Sequence, residues 1–135
     1  PFHARGLAKV QLERSAISLY AFREQVCEAV RAQIIDGKPS LRRTAEMVGA
    51  SVRTLQRRLD ALGVTYRALV SELQIEEASR LLRRSGLDVR LIAASLGYAD
   101  ATAFSRAFRR QVRQTPREFR QARSRAQDVN PKPRR

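Results

Sequence analysis

The chain has 135 residues, 43% of them hydrophobic, and a formal net charge of +14 at pH 7 from 27 Lys and Arg against 13 Asp and Glu. This length suits one domain or two small lobes with a modest core, and the charge favours a polyanionic partner. One Cys and one His exclude a disulfide framework and are too few ligands for a Cys/His metal site. They also offer little for acid–base or nucleophilic catalysis, so neither a cofactor nor an enzyme is expected.

The start of the chain shows no targeting pattern. No run of 18 apolar residues predicts a membrane span, and no charged start followed by an apolar stretch predicts a signal peptide. We therefore expect a cytoplasmic protein without a membrane partner. Residues 1–17 are interpreted as a linker, or as the remnant of a preceding domain of a longer protein.

Apolar residues at helical spacing dominate the rest of the chain, and no alternating run predicts a strand. The fold class is therefore all-α. The spacing and the capping residues predict helices at about 18–36, 41–48, 52–62, 66–84, 89–96, 101–111 and 116–121. In the helix at 66–84, the predicted inward residues are Leu69, Leu73, Leu81 and Leu82. Residues 122–135 are polar, basic and interrupted by proline, which predicts a basic disordered tail.

The sequence contains an internal repeat. The matched pairs, each 48 positions apart, are Leu41 with Val89, Thr44 with Ile92, Ala45 with Ala93, Val48 with Leu96, and Gly49 with Gly97. A small residue at a helix crossing, followed four positions later by glycine in a turn, is typical of a helix–turn–helix unit. The repeat predicts one such lobe at 18–85, which includes the long connecting helix 66–84, and a second at 86–121.

The second helix of each lobe has one apolar side and one side rich in hydrogen-bond donors. At about 100° per residue, Leu55, Leu59 and Leu62 share one side of helix 52–62, and Phe104 and Phe108 share one side of helix 101–111. A DNA-recognition helix packs its apolar side on the scaffold and presents donors to base edges in the major groove. The predicted base-reading residues are Arg53, Gln56 and Arg57 in the first lobe, and Thr102, Ser105 and Arg106 in the second. The predicted phosphate contacts are Thr54, Arg58, Arg109, Arg110 and Arg117.

The segment IAASLGYADATAFSRAFRRQVRQTPREFR, residues 92–120, resembles the signature of the AraC/XylS family of bacterial transcription regulators. The matching residues are Ile92, Ala93, Gly97, Tyr98, Phe104, Arg106, Phe108, Arg109, Thr115, Pro116, Phe119 and Arg120. The first lobe matches more loosely, through Ala45, Gly49, Ser51, Leu55, Arg57, Gly63, Ala78, Leu81 and Leu82. The resemblance implies a seven-helix domain of two helix–turn–helix lobes, with base-reading positions on the same six residues. Arg113 departs from it, where the family usually has glycine, as does Gln74, where the family usually has arginine.

Together these patterns predict the C-terminal, nucleoid-associated DNA-binding domain of a transcription regulator. Its recognition helices, about 52–62 and 101–111, would read adjacent major-groove segments of double-stranded promoter or operator DNA. RNA polymerase is the expected further partner of the full-length protein, and any small-molecule effector would act only through an N-terminal domain outside this chain. Two alternatives remain: a sequence-neutral nucleic-acid-binding protein of nucleoid or RNA-binding type, and a helical bundle that binds other proteins.

Overall fold

The computed structural model describes the backbone of residues 2–128 and the side chains of residues 5–126. Over this range the chain forms seven helices and no strand. They are α1 (Phe2–Asp36), α2 (Leu41–Val48), α3 (Val52–Ala61), α4 (Tyr66–Arg84), α5 (Val89–Ser95), α6 (Ala101–Val112) and α7 (Pro116–Asp128). The all-α prediction is confirmed. Within residues 2–128, none of the helices combines the length and the apolar content needed to cross a membrane.

Two predicted helix ends are wrong. α1 begins at Phe2 rather than near Ser18, so the segment predicted to be a linker is largely helical. α7 continues to Asp128 rather than ending near Gln121, so the first part of the predicted disordered tail is helical as well. The side chains of 5–18 and 121–126 are exposed, so these extensions are not packed against the rest of the described chain. Residues 129–135 of the predicted tail lie outside the described residues.

Packing divides the chain into two compact units. The first unit extends to Gln33 and resumes over Pro39–Leu69, and the second comprises Ile34–Lys38 and the chain from Val70 onward. The predicted boundary after residue 85 therefore differs from the packing boundary, which falls within α4. The reason is that α4 contributes buried residues to the second unit along most of its length. These residues are Leu73, Ile75, Ala78 and Leu82.

The core of the first unit takes one face from each of its helices. Its buried apolar residues include Phe22, Val26 and Val30 of α1, Ala45 of α2, Leu55 and Leu59 of α3, and Leu69 of α4. Phe22, Val26 and Val30 follow one another at four-residue spacing on one face of α1, and Cys27 is buried beside them. Leu62, predicted to be buried, is half-buried because it caps the C-terminus of α3 instead of lying within it.

A polar network is built into this core around Thr44, which is fully buried. Its hydroxyl donates to the Ser40 carbonyl oxygen at 2.8 Å and accepts from Nε2 of buried Gln33 at 2.8 Å. Tyr66 Oη lies 2.9 Å from the same oxygen. Since the single Thr44 hydroxyl proton is already donated, Tyr66 is the donor of this third bond. Burial raises the pKa of the Tyr66 phenol.

Removal of the Thr44 hydroxyl tests this network. We expect Thr44→Val to destabilise the chain by about 1–3 kcal/mol, because it leaves the Tyr66 hydroxyl and one Gln33 N–H without their acceptor in a buried site. Urea denaturation followed by circular dichroism measures the change. Thr102→Val, the same substitution at an exposed position on α6, should stay within about 0.5 kcal/mol of the unmodified chain. Equal effects of the two substitutions would contradict the network.

The core of the second unit is organised by aromatic side chains. Successive ring centroids lie 5.3 Å apart from Tyr98 to Phe104, 5.8 Å from Phe104 to Phe108, and 5.5 Å from Phe108 to Phe119. Aliphatic residues of α4 and α5 complete the buried set. Leu81, predicted to face inward, is half-buried because it lies about 100° around α4 from buried Leu82.

Candidate nucleic-acid interface

The first helix–turn–helix is formed by α2 and α3. Gly49 ends α2 in the left-handed conformation, with φ +71°. Ser51 then caps α3, where its Oγ accepts from the Thr54 backbone N–H at 3.1 Å. Leu55 and Leu59, 0% and 1% exposed, fix the rotation of α3 about its axis. The opposite side of α3 therefore faces solvent.

The second helix–turn–helix repeats this arrangement with α5 and α6. Gly97 makes the turn with φ +86°, and the Asp100 carboxylate caps α6 by accepting from the Ala103 N–H at 2.7 Å. Phe104 and Phe108 are completely buried and fix the rotation of α6. As in α3, the buried side leaves an exposed side opposite to it.

The six predicted base-reading residues divide evenly between the two units. Arg53, Gln56 and Arg57 are exposed on α3, and Thr102 and Arg106 are exposed on α6. Ser105 is half-buried and lines a groove with the first residues of α5 and α7, so it lies at the flank of α6 rather than at its centre. Base contacts by all six residues remain a prediction.

The exposed arginines on α3 and α6 are not neutralised by ion pairs within the described residues. None of the ion pairs within residues 5–126 includes Arg53, Arg57 or Arg106, whereas Arg42 of α2 pairs with Glu46 at 3.5 Å. The sequence of α6 contains three arginines and no carboxylate. α6 therefore presents positive charge that no carboxylate of the same helix neutralises.

The predicted phosphate contacts have more varied surroundings. Thr54 accepts a hydrogen bond from Ser51 Oγ at 2.9 Å, so its own hydroxyl proton is available to a ligand. Arg58 lies over the Phe22 ring, with its guanidinium carbon 4.7 Å from the centroid. The remaining three, Arg109, Arg110 and Arg117, are exposed. Phosphate binding by all five remains a prediction.

One arginine has a structural role that the sequence did not indicate. Arg120 donates from Nε to the Leu82 carbonyl at 3.2 Å and from Nη2 to the Ser85 carbonyl at 3.3 Å. These carbonyls lie at the C-terminal end of α4, where helix geometry leaves acceptors without partners. Arg120 therefore joins α7 to α4, and no local spacing in the sequence could have revealed this contact between residues nearly forty positions apart.

Residues 44–122 match a family model described as a helix-turn-helix domain, which is more than half of the 135-residue chain. The chain belongs to the AraC/XylS-type helix-turn-helix family. The resemblance seen in the sequence is confirmed.

Relatives and solved structures agree with the AraC/XylS assignment. The HTH-type transcriptional regulator VqsM of Pseudomonas aeruginosa is 41% identical over 87 residues, covering 64% of this chain and 27% of VqsM. A DNA-binding transcriptional dual regulator from Escherichia coli K-12 superposes with a TM-score of 0.71 at 25% identity, covering 77% of this chain and 93% of that one. The DNA-binding domain of AdpA, solved in complex with a target DNA, gives a TM-score of 0.62 at 26% identity, covering 75% and 90%. The chain thus spans about a quarter of the length of VqsM.

Two positions depart from the AraC/XylS pattern, and the structure shows what each residue does. Gln74 of α4 donates from Nε2 to the Leu96 carbonyl at 2.9 Å, which anchors the turn of the second helix–turn–helix unit. Arg113 keeps the left-handed conformation expected for the usual glycine, with φ +66° and ψ +14°. Such a conformation costs a residue with a side chain on the order of 1 kcal/mol.

Proposed function

We propose that this AraC/XylS-family chain is the DNA-binding part of a sequence-specific transcription regulator that works in the cytoplasm on the nucleoid. One observation carries the proposal: each of two helix–turn–helix units buries the apolar side of its second helix and exposes donors on the other side. Two similar proteins support it: VqsM is a transcriptional regulator, and the DNA-binding domain of AdpA was solved with a target DNA.

The exposed side chains suit the edges of base pairs. Arg57 and Arg106 each offer two parallel donors, which match guanine O6 and N7, and Gln56 matches adenine N6 and N7. Arg53, Thr102 and Ser105 complete the proposed base-reading set. Thr54, Arg58, Arg109, Arg110 and Arg117 would bind phosphates and fix the register of the protein on the duplex.

The full-length protein is proposed to have further partners. Because the match covers 27% of VqsM, a regulator of that kind has room for a separate domain that binds an effector. RNA polymerase is the proposed protein partner of the complete regulator at a promoter.

Sequence-neutral binding is the competing function, since the net charge of +14 would suit it equally well. The composition of the two faces favours sequence-specific reading. A protein that contacts phosphates alone needs cations, whereas the exposed faces also carry an amide at Gln56 and a hydroxyl at Thr102, which discriminate between bases.

Selection of bound sites from a random duplex pool tests the proposal. We expect one enriched sequence, bound at least about 10³-fold more tightly than random duplex, and binding that persists when random DNA is in excess. From the length of the connecting helix, about 28 Å at roughly 1.5 Å per residue, the footprint of one chain should cover two adjacent major-groove segments without a palindrome. Equal affinity for selected and random duplexes would instead establish sequence-neutral binding.

A further inference from the structure

The C-terminal end of α6 differs from the ends of the other helices in the two helix–turn–helix units. Gly49, Gly63 and Gly97 follow α2, α3 and α5 with φ of +71°, +71° and +86°. Arg113 follows α6 with φ +66°, and it is the one residue other than glycine with a positive φ among those the structure describes. Its N–H donates to the Arg109 carbonyl at 2.9 Å, which closes the helix.

This conformation is unfavourable for arginine, because its Cβ crowds the backbone in the left-handed region. The Arg113 side chain is exposed, and it takes part in none of the ion pairs or side-chain hydrogen bonds within residues 5–126. Strain that internal contacts do not offset is typical of a residue retained for binding.

The surroundings of Arg113 indicate the ligand. Arg106, Arg109, Arg110 and Arg113 line one open groove. Arg106 and Arg110 are four residues apart on α6, a spacing at which like charges repel on a helix. The groove lining contains no carboxylate.

The nearest acidic residue along the chain, Glu118, takes part in none of the ion pairs within residues 5–126. Glu118 of α7 is engaged in a capping box: its Oε2 accepts from the Thr115 N–H at 3.2 Å, while the Glu118 N–H donates to Thr115 Oγ1 at 3.1 Å. Four arginines therefore line a groove without a carboxylate in its lining, which favours an anionic ligand.

We propose that Arg113 binds a backbone phosphate of the DNA duplex at the end of the second recognition helix, together with Arg109 and Arg110. This inference rests on the proposed function. The N-terminal half of a recognition helix meets the bases, so a residue beyond its C-terminus lies toward the phosphates at the groove wall. A guanidinium binds phosphate oxygens through two parallel hydrogen bonds. The strained backbone at Arg113 is thus retained for DNA affinity at the expense of stability.

Three substitutions at Arg113 separate strain from charge in the full chain. Arg113→Gly removes both, and we expect its thermal midpoint to rise by roughly 2–6 °C while its affinity for duplex falls by roughly 3- to 10-fold near 0.1 M salt. Arg113→Ala removes only the charge, so its affinity should fall equally without the stability gain. Arg113→Lys keeps the charge and should bind within about 3-fold of the unmodified chain, with an unchanged salt slope.

Two measurements test whether Arg113 contacts a phosphate: the salt dependence of DNA affinity, and the affinity of a control variant that lacks a different arginine. Removing one phosphate contact should reduce the slope of log affinity against log salt by about 0.9, and base preference should stay the same. Arg84→Ala, which removes an exposed arginine of α4 outside the groove, should have a smaller effect on affinity. The inference fails if Arg113→Gly binds as tightly as the unmodified chain, or if Arg84→Ala weakens binding as much as Arg113→Ala. If the unmodified chain shows no sequence preference and Arg113→Ala still reduces the slope, the proposed function fails and the phosphate contact stands.

Discussion

Replacement of Phe108 by alanine is expected to unfold the second unit, at a cost of about 3–5 kcal/mol. Phe108 is fully buried, and its ring contacts those of Phe104 and Phe119. The rings of Tyr98, Phe104, Phe108 and Phe119 form an aromatic row. Truncation removes the ring of this row that joins α6 to Phe119 of α7. The cavity left behind adds to the lost transfer free energy, because a close-packed core relaxes only in part.

Chemical denaturation monitored by circular dichroism measures this effect, with DNA binding as a second readout. Leu91→Ala provides the control, since Leu91 lies in the same unit on α5 and is 58% exposed. It should change the stability by no more than about 0.5 kcal/mol. A loss below about 1 kcal/mol for Phe108→Ala would show that the aromatic row does not support the unit.

Arg57→Ala and Arg106→Ala are expected to abolish guanine preference, each at its own position in the site. A bidentate contact between arginine and guanine is worth about 1–3 kcal/mol of discrimination. Both residues lie two positions after the first buried anchor of their helix, Leu55 or Phe104, so each should enter the groove to the same depth. Because they belong to different units, their effects should add. The two guanine positions should lie about one helical turn apart.

Affinities for a panel of single-base site variants distinguish base reading from phosphate binding. Each substitution should flatten the preference at one position and leave the other intact, while circular dichroism shows an unchanged fold, since both side chains are exposed. Arg42→Ala, at an exposed position on α2, is the control for a lost charge. If Arg57→Ala and Arg106→Ala weaken every variant equally, both arginines are phosphate contacts.

Local signals in the sequence were sufficient to predict most of the helices, their caps and their buried sides. Ser and Asp are typical N-cap residues, and Ser40, Ser51, Asp88 and Asp100, which directly precede predicted helices, each cap their helix through the side chain. The apolar spacing also fixed which sides of α3 and α6 are buried, because a helix with two anchors one turn apart has little freedom to rotate. The repeat located both turns, since each requires a glycine with positive φ.

Features that depend on distant residues were not predictable in this way. The hydrogen bonds of Arg120 to α4 and of Gln74 to the Leu96 carbonyl join segments far apart in the sequence. Ser105 was predicted to lie on the exposed side of α6, yet it lies at the flank of that helix and its exposure is limited by neighbours at the starts of α5 and α7. When a separate helix covers a residue, the spacing of residues within the covered helix does not indicate it.

The stacking of Arg58 on Phe22 affects the entropy of ligand binding. An unrestrained arginine loses roughly 0.5–1.5 kcal/mol of rotamer freedom when a ligand immobilises it. Arg58 is restrained over the aromatic ring already in the absence of a ligand, so part of this ordering takes place when the chain folds. An anion that reaches Arg58 therefore meets a preorganised guanidinium, whereas Arg53 and Arg57 on the same helix must still be ordered. A lysine at position 58 would keep the charge but lose the planar stacking that provides this advantage.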